Sequence, residues 1–254
     1  MIKFFRQIRY NLMAQNKTGK YFKYAIGEIV LVVIGILIAL QINNWNETKK
    51  EQAELNGYLN NISKNIMSDI TELSNIKAFR DSAKLGAQQF VKLSNQENIT
   101  PNEFSSYTST YLQKYLPFFD IYFKADKSGF EALKNSGYLN KIHGTDLETK
   151  LYDYYKAIAS LEEEEKSLNN FIEEMEYDMF KSNVVLDFID VTRDINQQPT
   201  HDNLKKVHQL MNFPSFKGVN YRVSRLNTIL KRYEITSDLG QDVILLIDKE
   251  DKSD

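Results

Sequence analysis

From Tyr24 to Ile42 the chain carries a single charge, Glu28, and this apolar run constrains everything that follows it. As a helix rising about 1.5 Å per residue the run covers about 28 Å, close to the hydrocarbon core of about 30 Å. A helix satisfies its own backbone in lipid, so one transmembrane helix is expected, with aromatic anchors at Tyr24 on one side and Trp45 on the other. A cleaved signal peptide is the alternative. It fits less well, because the charged lead is long and no pair of small residues suited to cleavage follows Ala39.

Charge orients the span. Residues 1–23 hold six basic side chains (Lys3, Arg6, Arg9, Lys17, Lys20, Lys23) and no acid, although the whole chain has a net charge of −2. The positive-inside rule places this end in the cytoplasm and the rest of the chain outside, in a periplasm if the cell has two membranes. The basic excess is local and points to an anionic lipid surface, so no nucleic-acid partner is expected. In the lead, Ile2, Phe5, Ile8 and Leu12 fall on one stripe, which reads as a basic amphipathic helix lying on the leaflet or, more simply, as a solvated basic tail. The expected organisation is a basic amphipathic cytoplasmic segment over 1–20, a transmembrane helix over 21–45 and a periplasmic helical domain over 46–254.

Glu28 is out of place in such a span. At about 100° per residue, Gly35 and Ala39 each lie about 20° from it around the helix, and Val32 and Ile42 flank the same stripe. Small residues allow a second helix to approach, and a carboxyl in lipid needs a partner. A helix-contact face of Glu28, Val32, Gly35 and Ala39 is therefore expected, with a second copy or another membrane protein as partner. Two other readings stand beside it: a role in proton or ion movement, or a Glu28 at the inner interface, bonded to Tyr24, that sets only the depth of the span.

After the span, breakers are scarce. The 254 residues include ten glycines and four prolines. Residues 47–94 lack proline and place Leu55, Leu59, Ile62, Ile66, Leu73, Ile76, Ala83, Ala87 and Phe90 at steps of three, four or seven, which predicts a long helix that could continue the span. Asp69 and Arg80 interrupt its apolar stripe. Thr100-Pro101-Asn102-Glu103 is a capping box that starts a second helix, expected to end near Pro117. Ser128 is expected to cap a short helix through Asn135 that Gly137 terminates. Thr145-Asp146-Leu147-Glu148 opens the most regular helix, with Leu147, Leu151, Tyr154, Ile158, Leu161, Leu168, Ile172, Met175 and Met179 in register, broken by Glu165. Residues 183–199 lose the pattern and read as loop or short strand. A short helix over Asp202 to Met211 and a long one from about Ser215, which Gly240 could kink, follow. Helices with one dry face each must bury those faces together, so the expected fold is all-α: an N-terminal transmembrane helix followed by an antiparallel helical bundle.

Chemistry is harder to find. The absence of cysteine removes disulfides, thiolate sites and cysteine nucleophiles. The three histidines, His143, His201 and His208, do not converge at metal-ligand spacing, and no phosphate loop, dinucleotide fingerprint, nucleophile elbow or zinc-helix motif occurs, so neither metal nor cofactor is expected. The chain holds fifteen tyrosines, and Tyr107, Tyr111 and Tyr115 recur at i, i+4, i+8. With Tyr154 they could line a pocket for a ring-bearing or sugar ligand, or simply be core with hydroxyls at the surface. Asp120 and Glu131 are a conceivable acid and base for an envelope hydrolase, though nothing in their spacing singles them out.

Two stretches resemble a known family. "YAIGEIVLVVIGILIALQINNWNE" preceded by "MIKFFRQIRY", and "GFEALKNSGYLNKI" followed by "LYDYYKAI", are similar to an uncharacterised family of single-pass membrane proteins widespread in Bacteroidota, a domain of unknown function. The similarity is most specific at Gly27, Glu28, Gly35, Gln41 and Asn43 to Glu47, then at Phe130, Glu131, Leu133, Ser136, Gly137 and Leu139, and is looser after about residue 180. It implies a periplasmic domain in a two-membrane bacterium and assigns no activity and no catalytic residue. The expectation is a non-enzymatic interaction module that associates through its membrane helix, with a periplasmic ligand sensor as the second reading.

Overall fold

The computed structural model describes residues 6–7, 10, 18–112, 118, 120–182 and 201–252. Among them the secondary structure is entirely helical, in two compact units, Met1–Gly57 and Tyr58–Asp254. The stripe of the basic lead, Tyr115, and the irregular residues 183–199 lie outside the described residues.

Helix α1 spans Thr18–Ser94. In the first unit its apolar residues from Ile26 to Trp45 are exposed on every side, as a segment made for lipid must be. Ala25 and Glu28 alone are half-buried between Phe22 and Lys50. In the second unit the predicted stripe is buried from Leu59 to Phe90, and so are its two interruptions, Asp69 and Arg80.

A short helix α2 (Pro101–Tyr107) begins at the predicted capping box. Glu103 N–H donates to Thr100 Oγ1 at 3.3 Å, and Thr100 N–H donates to Glu103 Oε2 at 3.0 Å. It continues as one wider turn over Thr108–Leu112. Helix α3 (Ser128–Ser136) ends at Gly137, whose φ of 81° is the left-handed conformation that glycine adopts without strain. Its start differs from expectation: Asp126 Oδ1 accepts the Ser128 N–H at 3.0 Å, and Ser128 is itself the first helical residue.

Helix α4 (Asp146–Lys181) carries half of its expected box. Thr145 Oγ1 accepts the Glu148 N–H at 3.3 Å, but the Glu148 carboxylate takes the Gly144 N–H at 2.8 Å, one residue earlier. Helices α5 (His201–Met211), α6 (Pro214–Val223) and α7 (Asn227–Lys252) follow. The expected single helix from Ser215 is two, because the chain turns over 224–226; Gly240 sits inside α7 and does not interrupt it.

The polar contacts give the helix directions. Lys150 pairs with Asp242 at 2.7 Å and Ser160 with Arg232 at 3.0 Å, so α7 runs antiparallel to α4. Lys77 pairs with Glu234 at 3.2 Å and Lys84 with Asn227 at 3.1 Å, so α7 also opposes the second-unit part of α1. Between α1 and α4, Asp69 meets Tyr154 and Arg80 meets Asn169, both at 2.9 Å, so these two run the same way. The return path over 95–145 makes that possible.

Gly240 serves close approach. A Cβ there would lie 2.9 Å from Ile66 Cγ2, 3.1 Å from Tyr154 Cε2 and 3.2 Å from Ile70 Cδ1. At Gly218 in α6 the nearest atom is Met175 Sδ at 3.9 Å, ordinary contact distance. The same substitution therefore has opposite signs. Gly218→Ala stabilises by about 0.5–1 kcal/mol through helix propensity, whereas Gly240→Ala loses about 1 kcal/mol net, as overpacking of about 1–3 kcal/mol exceeds that gain. Thermal unfolding of the two variants followed by circular dichroism checks the contrast.

Candidate functional site

The second unit is organised around a stretch that is not helical. Residues 120–127 contain no helix, turn or bend, and their exposure alternates: Tyr122, Lys124 and Asp126 face out, while Phe123 and Ala125 are buried. Its alternation is that of an extended chain, a strap laid between α1 and α4 that has no partner strand among the described residues. Its backbone polar groups need partners, and buried side chains of the two helices supply several of them.

Asn169 Nδ2 and Arg80 Nη2 both donate to the Ile121 carbonyl, at 2.9 and 3.1 Å, and Arg80 also donates to Asn169 Oδ1. Glu165 Oε2 accepts the Phe123 N–H at 2.7 Å and its Oε1 accepts the Tyr233 hydroxyl. Asp69 Oδ1 accepts the Asp126 N–H at 3.1 Å and its Oδ2 accepts the Tyr154 hydroxyl at 2.9 Å. Asn65 Oδ1 takes the Gly129 N–H at 3.2 Å. Each carboxyl thus bridges one strap N–H and one buried tyrosine. Asp69, Arg80, Glu165 and Asn169 are all at most 2 % exposed.

Burial pushes both carboxyls above their ordinary values. For Asp69, desolvation outweighs the bonds from Asp126 and Tyr154; for Glu165, desolvation outweighs the Tyr233 and Phe123 bonds and the nearby Arg80 charge. A carboxyl that holds its proton longer when folded contributes stability below its ordinary value, 3.8 for Asp69 and 4.5 for Glu165, and loses it as pH rises through the folded value. An amide fits both sites, since its oxygen can accept the strap N–H and its NH2 can donate to a tyrosine oxygen. The Asp69→Asn/Glu165→Gln variant is therefore expected to melt higher relative to the parent as pH rises from about 4.5 to 7. Melting temperatures of both proteins across that range test the sign.

The sequence-derived candidates separate. In the first unit Glu28, Val32, Gly35 and Ala39 lie along α1, and a Cβ at Gly35 would meet nothing within 4 Å. Tyr24 and Trp45 are both exposed. In the second unit Tyr107 and Tyr154, the two pocket tyrosines with described side chains, stand apart. Tyr107 is buried in a cluster with Phe90, Phe104, Met179 and Phe216, beside a cleft of about 670 Å3 whose rim is mostly amide and hydroxyl. Tyr154 is fully buried beside Gly240. Met179 of the Tyr107 cluster stands 25 residues beyond Tyr154 on α4, about 37 Å along the helix, so no single pocket holds both. The side chain of Tyr111 lies outside the described residues, as Tyr115 does.

Glu131 pairs with Lys134 at 2.6 Å. The carboxyl of Asp120 is raised by partial burial and by neighbouring Glu173, not by Glu131. His143 pairs with Glu148 at 3.2 Å, and His208 contacts Asn212. Among the described residues no three histidine or acidic side chains converge to hold a metal ion.

Fold and site define an all-helical protein with one candidate membrane helix near the N-terminus, among the described residues, and a helical domain locked by buried polar side chains. Residues 28–197 match the Family of unknown function (DUF6090), and the chain belongs to that family. Neither a curated protein nor a solved structure matches the chain.

Proposed function

We propose that this protein is a non-enzymatic interaction module anchored in the inner membrane, with its N-terminus in the cytoplasm and its helical domain in the periplasm. Its membrane helix associates with a second membrane helix, from another copy or a membrane protein partner, through Glu28, Val32, Gly35 and Ala39. The observation that carries the reading is the helical register: an otherwise apolar, all-round exposed segment places its single carboxyl on the same stripe as its small residues. The six basic residues before the span support the orientation. The two buried carboxyls support a binding role over a catalytic one, since all four of their oxygens accept hydrogen bonds from the chain itself.

Gly35→Ile combined with Ala39→Ile puts branched side chains on the contact stripe. Self-association in a membrane two-hybrid assay is expected to fall by about tenfold, the equivalent of about 1.4 kcal/mol of helix contact. Unchanged association, with equal membrane insertion of both proteins, would remove the intramembrane contact.

A further inference from the structure

A cleft of about 560 Å3 opens between the strap and α4, with Tyr122, Lys124 and Lys127 on one wall and Glu162, Lys166 and Asn170 on the other. Small-molecule sites occupy about 300–1,000 Å3. Polar contacts fix the order of groups along the cleft. At one end Lys127 pairs with Glu162 at 2.8 Å; at the other the Tyr122 hydroxyl donates to Glu173 Oε1 at 2.7 Å, which restrains the ring. Between these ends the Phe123 N–H reaches Glu165, so Lys124 and Lys166, each one residue further along its wall, stand at the same level. Both lysines are exposed and form no ion pair with another described residue.

The surface between the charges is mostly carbon. The Tyr122 ring is half exposed, and lysine stems present methylenes below their charged tips. Such a site selects two features together. An apolar wall with an aromatic face takes a flat carbon body, and two unneutralised ammonium groups at the middle of the cleft take an anion. Glu173 at the Tyr122 end repels a second negative group, so the ligand that fits is charged at one end and neutral at the other.

We infer that the cleft between the strap and α4 binds a small ring-bearing carboxylate, its anion between Lys124 and Lys166 and its rings against Tyr122. This site goes beyond the reading of the protein as an interaction module and does not rest on the intramembrane contact. Dansylglycine, a fluorescent ring-bearing carboxylate, is titrated with the full chain in phosphatidylcholine nanodiscs, and the signal of empty nanodiscs is subtracted. The remaining anisotropy is expected to rise to saturation. Dansylglycinamide keeps the rings and loses the charge, so it is expected to bind about tenfold more weakly, and added salt weakens dansylglycine in the same direction. Lys124→Gln/Lys166→Gln is expected to cost dansylglycine about tenfold and to leave the amide unchanged. Both substitutions sit at exposed positions, and circular dichroism of the variant verifies its fold. Equal binding of the amide by the parent, indifference of dansylglycine to the lysine substitutions, or no saturable binding overturns the inference. The Gly35→Ile/Ala39→Ile protein is expected to bind dansylglycine normally, which separates this site from the membrane contact.

Discussion

Arg80→Met lowers the stability of the helical domain by about 3–5 kcal/mol, because it removes one member of a buried charged network and leaves its partners buried. Methionine matches the length of the arginine stem, so the loss is not chiefly a cavity. What disappears is the pair of bonds from Nη2 to the Ile121 carbonyl and Asn169 Oδ1, and the positive charge that favours ionised Glu165. The parent and variant chains in detergent, unfolded by heat and followed by near-ultraviolet circular dichroism, give the difference. Adding Glu165→Gln to Arg80→Met is expected to recover about 1 kcal/mol or more, since it neutralises the charge left behind. No recovery would mean that the Arg80 effect runs only through the strap carbonyl.

Gly129→Ala has the second largest effect, a loss of about 1–3 kcal/mol from overpacking. The added Cβ would stand 2.6 Å from Asn65 Oδ1, 3.0 Å from the Ile62 nitrogen and 3.2 Å from the Asn61 carbonyl carbon. Two of these are backbone atoms of α1, which cannot rotate away as a flexible side chain can. Asn65 has little freedom either, because it takes the Gly129 N–H and donates to Asp126 Oδ2 at 2.5 Å. The first turn of α3 must lift, and the end of the strap moves with it. Chemical denaturation measures the loss; a neutral Gly129→Ala would show that α3 does not press on α1.

The helices were legible because their causes are local. The stripe over 55–90, the Thr100 box and the glycine stop at residue 137 all follow from spacing along one segment. The strap was not legible, because so short an extended segment leaves little alternation in its own sequence, and its bonding groups sit on α1 and α4. A trace was present. Asp69, Arg80 and Glu165 stood out as breaks in apolar stripes, and each proves to be buried and bonded to the strap or its tyrosines. The burial of Tyr107 was hidden for a related reason: i, i+4 spacing places it on a face, but sequence does not say that the face is core. The division near residue 224 leaves no mark in the sequence, because Ser224-Arg225-Leu226 keeps helical composition while the chain turns.

The locks that hold the strap join residues far apart in synthesis: 57 positions separate Asp69 from Asp126, 68 separate Glu165 from Tyr233, and 89 separate Arg80 from Asn169. Such contacts form late, since each must close a long loop before it repays the cost. A chain emerging N-terminus first therefore presents α1 with its carboxyl and guanidinium still hydrated, and only the arrival of α7 supplies the hydroxyl of Tyr233. The burial of Glu165 thus waits for a helix made more than sixty residues after it.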